Sequence, residues 1–487
     1  MSIFFFLLTL GLRDLRAQSA SPFDQLQNKV RLVTLQNGLR VIIYRRGEAP
    51  VFAGSVVVRV GGVDESPGLT GISHMFEHMA FKGTSVMGTR DFNLEKQLLK
   101  KVERLRVKES EQGSLSTEEL AELHSFERVL KSVWKTGELA EEIERRGGVG
   151  LNAQTTNDAT TYYVDLPSSQ LEFFLQLESN RILDPVLREF YQERDVVLEE
   201  RRMRVDNSPE GLLYEKLLGS AYRVHPYHRP VIGYEQDIRR LTATKVEDFR
   251  KRYYVPSNMV LALVGDIDPE SAIPLVKKYF ERIPAGTAPA MPEASEPKQN
   301  EERRFEVSGD YSPHLAIAYH KVQYPDPDGA ALAATLSALA SSKTSWLYDK
   351  LVTKEKLVSE AGAYSEPGYL YPDLAIFWLT PIAPHTNQEV LKRFDQIVEE
   401  FKSKGPTAEQ LSIVKKHIQL GLLERLASNN ALARDLAENE ALFGDWRATF
   451  KEYQQLLKLE AGDIKRVSDK FLVNTERTVG FLERRHP

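Results

Sequence analysis

The sequence predicts an α+β protein built from two related halves that are joined by a linker. Three observations indicate this fold class: β-rich runs alternate with helical stretches, a Pro- and Ala-rich segment lies near the middle, and a β-rich run followed by a helix recurs on each side of it. The chain has 487 residues, which is too long for a single hydrophobic core. We therefore expect at least two domains.

The N-terminus carries an apolar run at residues 3–12, IFFFLLTLGL. Its length suits the core of a signal peptide and is too short to span a bilayer. Small residues at Ala17, Ser19 and Ala20 offer a cleavage site, so residues 1–20 are predicted to direct export to the periplasm. No basic residue precedes the run, which leaves a cytoplasmic location as the alternative, and no later segment has the composition of a membrane span.

The first half is predicted to span residues 30–284. A β-rich run at residues 49–62, APVFAGSVVVRVGG, precedes a helical stretch with two histidines, and a buried strand, VLALVG, occupies residues 260–265. Residues 94–146 have the pattern of an insertion. Two apolar stripes at helical spacing, with a capping box at Ser116 and Glu119 between them, predict a helical hairpin there.

Residues 285–304 are rich in Pro, Ala and charge and lack periodicity, so they are predicted to be an extended linker. The second half, residues 305–487, repeats the arrangement of the first: a β-rich run at 312–322, SPHLAIAYHKV, precedes a helix at 330–340. In that helix Ala, Leu and Thr stand in place of His and Glu. The second half is therefore expected to share the architecture of the first without its metal ligands.

The overall composition excludes several classes of function. There are 64 basic and 69 acidic residues, a net charge of −5, so the chain lacks the basic surface of a dedicated nucleic-acid-binding protein. It contains no cysteine, which excludes disulfides, thiolate metal sites and a cysteine nucleophile. Any metal must be held by His and carboxylate side chains, a donor set that suits catalytic zinc.

The strongest chemical signal is the motif HMFEH at residues 74–78. Residues four apart on a helix lie one above the other, so the imidazoles of His74 and His78 can reach one cation. Glu77 lies on the same side, where it can accept a proton from water. This H-x-x-E-H order is the signature of inverted zinc peptidases, and a core helix whose histidines bond to backbone groups is the alternative.

A catalytic zinc site needs a third protein ligand and an open position. The richest acidic candidate is residues 193–202, ERDVVLEERR, where Glu193 and Glu200 lie seven residues apart on one helical face. One of them can be the ligand and the other a partner that orients a histidine. On these residues alone, an ordinary surface helix with salt bridges is the competing interpretation.

These segments together resemble the insulinase/pitrilysin family of inverted zinc peptidases, which includes the mitochondrial processing peptidase and bacterial relatives. The resemblance rests on HMFEH at 74–78 with FKGT at 81–84, GG at 147–148 with LNA at 151–153, and ERDVVLEE at 193–200. It extends in the same order from about residue 37 to about residue 285 and only loosely into the second half.

The resemblance implies a zinc-dependent endopeptidase that hydrolyses short or unfolded polypeptides. His74, His78 and Glu200 would hold one zinc ion per chain. Glu77 would be the general base, and Glu193 would orient a ligand. Each half would be an α+β domain with a mixed sheet, and the two together would form one half of a clamshell around the substrate.

The resemblance also implies where the peptide binds. Asn152 and Ala153 would lie on an edge strand and hold the peptide backbone by strand addition, although a simple turn is the alternative for Asn152. Phe76, between the two histidines, is a third candidate for contact with the substrate.

One family feature is missing from the second half. Self-sufficient members carry an Arg and a Tyr that grip the substrate carbonyl, whereas this sequence has Val352 and Ser359 at the matching positions. The resemblance therefore implies a paralogous partner that supplies these two groups, with a homodimer as the alternative. A further alternative is an inactive subunit with a structural or peptide-binding role in a larger complex.

Overall fold

The computed structural model describes residues 26–484 apart from residues 28 and 48, so the predicted signal peptide lies outside the described residues. Within this part of the chain, one sheet has six strands and a second sheet has five. The strands of the first sheet are β1 (Val30–Thr34), β2 (Arg40–Arg45), β3 (Val51–Val58), β4 (Val149–Thr155), β5 (Thr160–Pro167) and β6 (Met259–Gly265). Those of the second sheet are β7 (Arg303–Gly309), β8 (His314–His320), β9 (Val358–Glu366), β10 (Leu374–Pro381) and β11 (Arg477–Arg484).

Helices alternate with the strands in both halves. Those of the first half are α1 (Ile72–Met79), α2 (Phe92–Gln112), α3 (Thr117–Val133), α4 (Glu138–Arg145), α5 (Leu171–Leu183), α6 (Phe190–Arg201), α7 (Pro209–Ala221), α8 (Glu235–Arg239), α9 (Ala243–Tyr253) and α10 (Pro269–Phe280). Those of the second half are α11 (Gly329–Ala340), α12 (Asn387–Lys404), α13 (Ala408–Ala427), α14 (Asn429–Phe443), α15 (Ala448–Lys458) and α16 (Ala461–Phe471). A π-helical turn, Arg202–Asp206, extends α6, and a second lies at Tyr348–Lys354.

Both sheets are mixed, as the family resemblance implied. Their strand orders are β1-β2-β6-β3-β5-β4 and β7-β11-β8-β10-β9. Each has one parallel pair, β2 with β6 and β7 with β11, among antiparallel neighbours. In each sheet a central strand leads into a helix, β3 into α1 and β8 into α11. β4 and β9 occupy equivalent free edges, so β4 is the edge strand that the sequence predicted after Gly148.

The two halves exchange helices. The first sheet packs its own helices on one face, while Leu436 of α14 from the second half lies in the hydrophobic cluster with Val260 on the other face. Conversely, Leu217 of α7 packs with Ile376 on the second sheet. All four side chains are buried. Because burial of apolar surface stabilises both contacts, the relative position of the halves is set by this exchange.

The predicted helical hairpin is formed by α2 and α3. The capping box at Ser116 and Glu119 is present at the start of α3, as predicted. Glu95 of α2 anchors the hairpin to the rest of the first half, because it accepts hydrogen bonds from the Trp134 indole at 2.8 Å and the Arg188 guanidinium at 2.8 Å. Glu95 and Arg188 are fully buried, so loss of either partner would leave an uncompensated charge in the core.

The predicted linker has neither helix nor strand until β7 begins at Arg303, and the helix predicted at residues 330–340 is α11. Among the described residues, no helix combines the length and the apolar character that crossing a bilayer requires.

Candidate metal centre

The start of α1 places the motif at residues 74–78. The carboxylate of Glu65 accepts hydrogen bonds from the backbone N–H groups of Gly71 at 2.8 Å and Ser73 at 2.9 Å, which would otherwise have no partner at the helix N-terminus. Gly71 has φ +83°, and a Cβ atom there would lie 2.6 Å from the carbonyl oxygen of Ile232. Only glycine suits this position, where α1 meets the loop before α8.

His74 and His78 lie one helical turn apart on α1, with ring centroids 4.7 Å apart. Glu200, near the end of α6, meets both of them: its Oε2 is 3.7 Å from Nε2 of His74 and 3.5 Å from Nε2 of His78. Among the described residues, these three form the one group of His, Asp or Glu side chains whose ligand atoms lie within 4.8 Å of one another.

The geometry of this group suits zinc. Zinc binds His nitrogen and carboxylate oxygen at about 2.0–2.2 Å in a tetrahedral arrangement, which separates neighbouring ligand atoms by about 3.4 Å. The two distances from Glu200 to the imidazoles are close to that value. Two His and one Glu also form a donor set that leaves a fourth position open.

Glu193 contacts the opposite side of the His78 ring. Its Oε1 lies 2.9 Å from Nδ1 of His78, and its Oε2 lies 2.5 Å from Nζ of Lys82. Burial lowers the pKa of His78, but hydrogen bonds to Glu193 and Glu200 outweigh it and raise the pKa to about 9. Although burial opposes the change, His78 and Lys82 lower the pKa of Glu193, so it stays ionised and can fix the tautomer of His78.

His74 differs from His78 in its environment. Burial, and then the neighbouring His78, lower its pKa, so this imidazole is neutral and has a lone pair to offer a metal. Its Nδ1 is buried and has no hydrogen-bond partner among the residues that the structure describes. Glu200 is held by Arg204, whose Nη1 lies 2.8 Å from Oε1, and its Oε2 is left facing the histidines. The hydrogen bond from His78 lowers the pKa of Glu200.

Glu77 lies beside the three candidate ligands without belonging to that group. Its Oε2 accepts a hydrogen bond from the hydroxyl of Thr155, at the end of β4. Burial raises the pKa of Glu77, which makes its carboxylate a better proton acceptor. A carboxylate with a raised pKa beside a metal site is the arrangement expected of a general base.

The candidates for substrate contact differ in their exposure. Asn152 and Ala153 lie on the edge strand β4, and the Asn152 side chain accepts the Ala153 N–H at 2.9 Å, so this N–H faces away from β5. Phe76 is buried, with 1% of its surface exposed, and its ring packs 4.5 Å from that of Tyr254. The prediction that Phe76 contacts the substrate is wrong, because this side chain fills the core between α1 and the sheet.

Four contacts of the site were not identified from the sequence. Lys82 and Arg204 each lie four residues beyond a candidate ligand, so helical spacing could have indicated them. Thr155 carries no local signal, because it lies 78 residues from Glu77 and reaches it through the tertiary fold. Glu65 lies only six residues before Gly71, but no helical or strand spacing indicated its contact. His225 is not among the candidate ligands: it is buried, and its Nδ1 accepts the backbone N–H of Tyr227 at 3.2 Å.

Comparisons with known proteins identify the family of this chain. The model of the family described as "Insulinase (Peptidase family M16)" matches residues 40–99 and 128–235, and that described as "Peptidase M16 inactive domain" matches residues 240–418. The zinc protease PqqE of Helicobacter pylori is 30% identical to this chain, and the alignment covers 98% of this chain and 96% of the relative. The chain therefore belongs to the insulinase family, peptidase family M16.

Solved structures share the same two-domain fold. A protease from Helicobacter pylori has a TM-score of 0.79 at 28% identity, covering 93% of this chain and 99% of its own. The first half of the periplasmic protease PqqL from Escherichia coli has a TM-score of 0.69 at 18% identity, covering 93% of this chain and 92% of its own. The second similarity concerns the fold alone.

Proposed function

We propose that this chain is a zinc-dependent endopeptidase that hydrolyses short or unfolded polypeptides. The observation that carries the proposal is the convergence of His74, His78 and Glu200 at zinc-ligand separations, with the Glu77 carboxylate beside them. The name of the Helicobacter pylori relative, a zinc protease, supports the choice of metal. The single group of candidate ligands among the described residues supports a proposed stoichiometry of one zinc ion per chain.

The residues of the site have different proposed roles in the reaction. Zinc, when bound, would lower the pKa of a water molecule and polarise the peptide carbonyl. Glu77 would accept a proton from the attacking water as the water oxygen bonds to the carbonyl carbon, and would pass that proton to the amine nitrogen as the C–N bond breaks. Thr155 holds the Glu77 carboxylate in place. Glu193 and Arg204 hold His78 and Glu200 in the orientation that ligation needs. β4 offers its free edge to the backbone of the peptide.

We further propose that full activity needs a paralogous partner. Val352 lies in the π-helical turn at Tyr348–Lys354 and packs against the second core, while Ser359 on β9 donates to the carbonyl of Thr380 at 3.3 Å. Val352 has no side-chain donor, and the Ser359 hydroxyl is already donated to a backbone carbonyl, so this chain lacks the Arg and Tyr donors here; loss of an oxyanion donor costs about two to three orders of magnitude in rate. A homodimer is the alternative, and it predicts that adding the paralogous subunit leaves the rate of cleavage unchanged.

The proposal is tested by metal content and peptidase activity measured together. We expect the purified chain to hold about one zinc per molecule, and His74→Ala and His78→Ala to lose it, while His124→Ala on the exposed hairpin keeps it. Cleavage of an unstructured peptide should require zinc and should rise when the paralogous subunit is added. A chain that binds no zinc after metal supplementation would instead be the inactive peptide-binding subunit.

The location of the protein is part of the proposal. The apolar run at residues 3–12 supports export to the periplasm, and the structural relative PqqL is named a periplasmic protease. Fractionation of cells that express the full chain tests this, because export predicts a processed protein in the periplasmic fraction, whereas a full-length protein in the cytoplasm would contradict it.

A further inference from the structure

A groove of about 440 Å³ lies on the side of α6 that faces the helical hairpin. Its walls are α2 and α3 of the hairpin, the first turn of α6, and α9. The lining is mostly apolar and includes Leu99, Val102, Leu130, Trp134, Phe190 and Ala243. The volume is within the range of small-molecule sites, which is about 300–1,000 Å³. Part of the hairpin wall, Glu103 and Glu127, lies outside the residues that the insulinase family model matches.

One end of the groove carries two carboxylates without a cationic partner. Within the described part of the chain, Glu103 accepts hydrogen bonds only from neutral groups: the backbone N–H of Thr244 at 2.8 Å, the Thr244 hydroxyl at 2.6 Å and the Tyr191 hydroxyl at 2.6 Å. Asp248 lies one turn beyond Thr244 on α9, is exposed, and forms no ion pair with any described residue. This end of the groove is therefore acidic and open to a cation.

The other charged groups of the lining are already engaged or lie at the rim. Three carboxylates have cationic partners behind the groove wall, Glu127 with Arg106, Glu189 with Lys82 and Glu247 with Arg250. Lys251 also pairs with Glu247, at 3.5 Å, and Lys100 is exposed and can point its ammonium group into water. The lining of the groove therefore suits a ligand that has an apolar body and one positively charged end.

We propose that this groove binds a small amphipathic cation and that its occupancy is linked to the metal centre through Glu189. The apolar body would cover Leu99, Ala243 and Trp134, and an ammonium group would lie between Glu103 and Asp248. Displacement of water from the apolar lining supplies the affinity, and the two carboxylates select the charge.

Glu189 connects the groove to the metal centre by direct contacts. It lines the groove and has φ +59°, a left-handed conformation that non-glycine residues rarely adopt. Its Oε2 lies 3.1 Å from Nζ of Lys82, which lies 2.5 Å from Oε2 of Glu193, and Glu193 contacts His78 at 2.9 Å. A ligand that shifts Glu189 therefore changes the side chains that orient His78.

The test uses octyltrimethylammonium as the probe and octyl sulfate as the matched anion, titrated calorimetrically into the full chain without zinc. We expect the cation to bind with a dissociation constant on the order of 0.1–1 mM, and the anion to bind at least about tenfold more weakly. Equal binding of cation and anion, or no binding of the cation, would overturn the proposal.

Variants locate the site. Ala243→Trp fills the groove and should weaken binding of the cation at least about tenfold, whereas Asp248→Lys should weaken it about three- to tenfold through charge alone. Glu293→Lys makes the same charge change on an exposed loop and should leave binding unchanged. Since Asp248 is exposed, its variant should fold even if Ala243→Trp does not; wild-type affinity in the folded Asp248→Lys protein would place the probe elsewhere and overturn the assignment.

The proposed linkage to the metal centre rests on the zinc binding proposed above. The titration of the zinc-free protein is independent of that proposal. If Glu189 carries the linkage, the dissociation constant of the probe should differ about threefold or more between zinc-loaded and zinc-free protein. By reciprocity, the probe should change the affinity for zinc by the same factor. Binding of the probe with equal affinity in both forms would disprove the linkage, and a chain that takes up no zinc would instead fail the proposed function.

Discussion

Nδ1 of His78 lies 2.9 Å from Oε1 of Glu193, while Nε2 of the same ring lies 3.5 Å from Oε2 of Glu200. The two carboxylates of α6 therefore contact opposite nitrogens of one imidazole. An ionised Glu193 holds the proton on Nδ1, so Nε2, which faces Glu200, is the nitrogen that would give up its proton and bind the metal. This relationship gives each carboxylate a distinct role in the proposed zinc site.

Removal of Glu193 should weaken zinc binding without removing a ligand. We expect Glu193→Ala to lower the zinc affinity about 10- to 100-fold, because His78 loses the group that fixes its tautomer and ring orientation. Competition with a chromogenic chelator measures this. Glu199→Gln, an exposed neighbour on α6, is the matched control and should bind zinc like the wild type. Unchanged affinity in Glu193→Ala would contradict the orienting role.

Glu77→Gln should separate zinc binding from catalysis. Because Glu77 is not among the ligand group, the variant should keep its zinc within about twofold, while peptide cleavage falls about 10²- to 10⁴-fold. Thr155→Val removes only the hydrogen bond to Glu77 and should lower the rate about two- to tenfold. Full activity of Glu77→Gln would show that another group accepts the proton.

Replacement of Ala153 by proline tests the edge strand. The Ala153 N–H is bonded to the Asn152 side chain and faces away from β5, so Ala153→Pro should remove a donor to the substrate without breaking the bonds between β4 and β5. We expect KM to rise about two- to tenfold, with zinc content and thermal stability preserved. An unchanged KM in the folded variant would exclude strand addition at this position.

Asp373 should make the protein less stable as the pH rises toward neutrality. Burial raises its pKa from 3.8 to about 7, although the Lys321 ammonium 3.0 Å away opposes the change. A raised native pKa means that the folded protein holds this proton more tightly, so the stabilisation is complete below pH 3.8 and is lost as the pH rises through about 7.

Urea denaturation at pH 5 and pH 8 measures this effect. The loss of unfolding free energy between the two values should be about 1–3 kcal/mol smaller in Asp373→Asn than in the wild type. Asp310→Asn, an exposed carboxylate at the end of β7, should behave like the wild type. An equal pH dependence in all three proteins would show that Asp373 stays ionised, held by Lys321.

Local patterns determined the parts of the site that lie on one helix. His74, Glu77 and His78 share a face of α1 because the helical repeat places residues three and four apart together. The capping box at Ser116 and Glu119 marked the hairpin for the same reason, since both partners lie within one turn.

Only the tertiary structure decided how α6 meets α1. Helical spacing alone left Glu193 and Glu200 equivalent, and only the family resemblance distinguished them. The packing of α6 across α1 places them at opposite nitrogens of His78. Tertiary packing also brings Thr155 to Glu77 from another element and buries Phe76 against Tyr254. A sequence period describes which residues share a face, whereas the partner of that face depends on contacts between residues far apart in the chain.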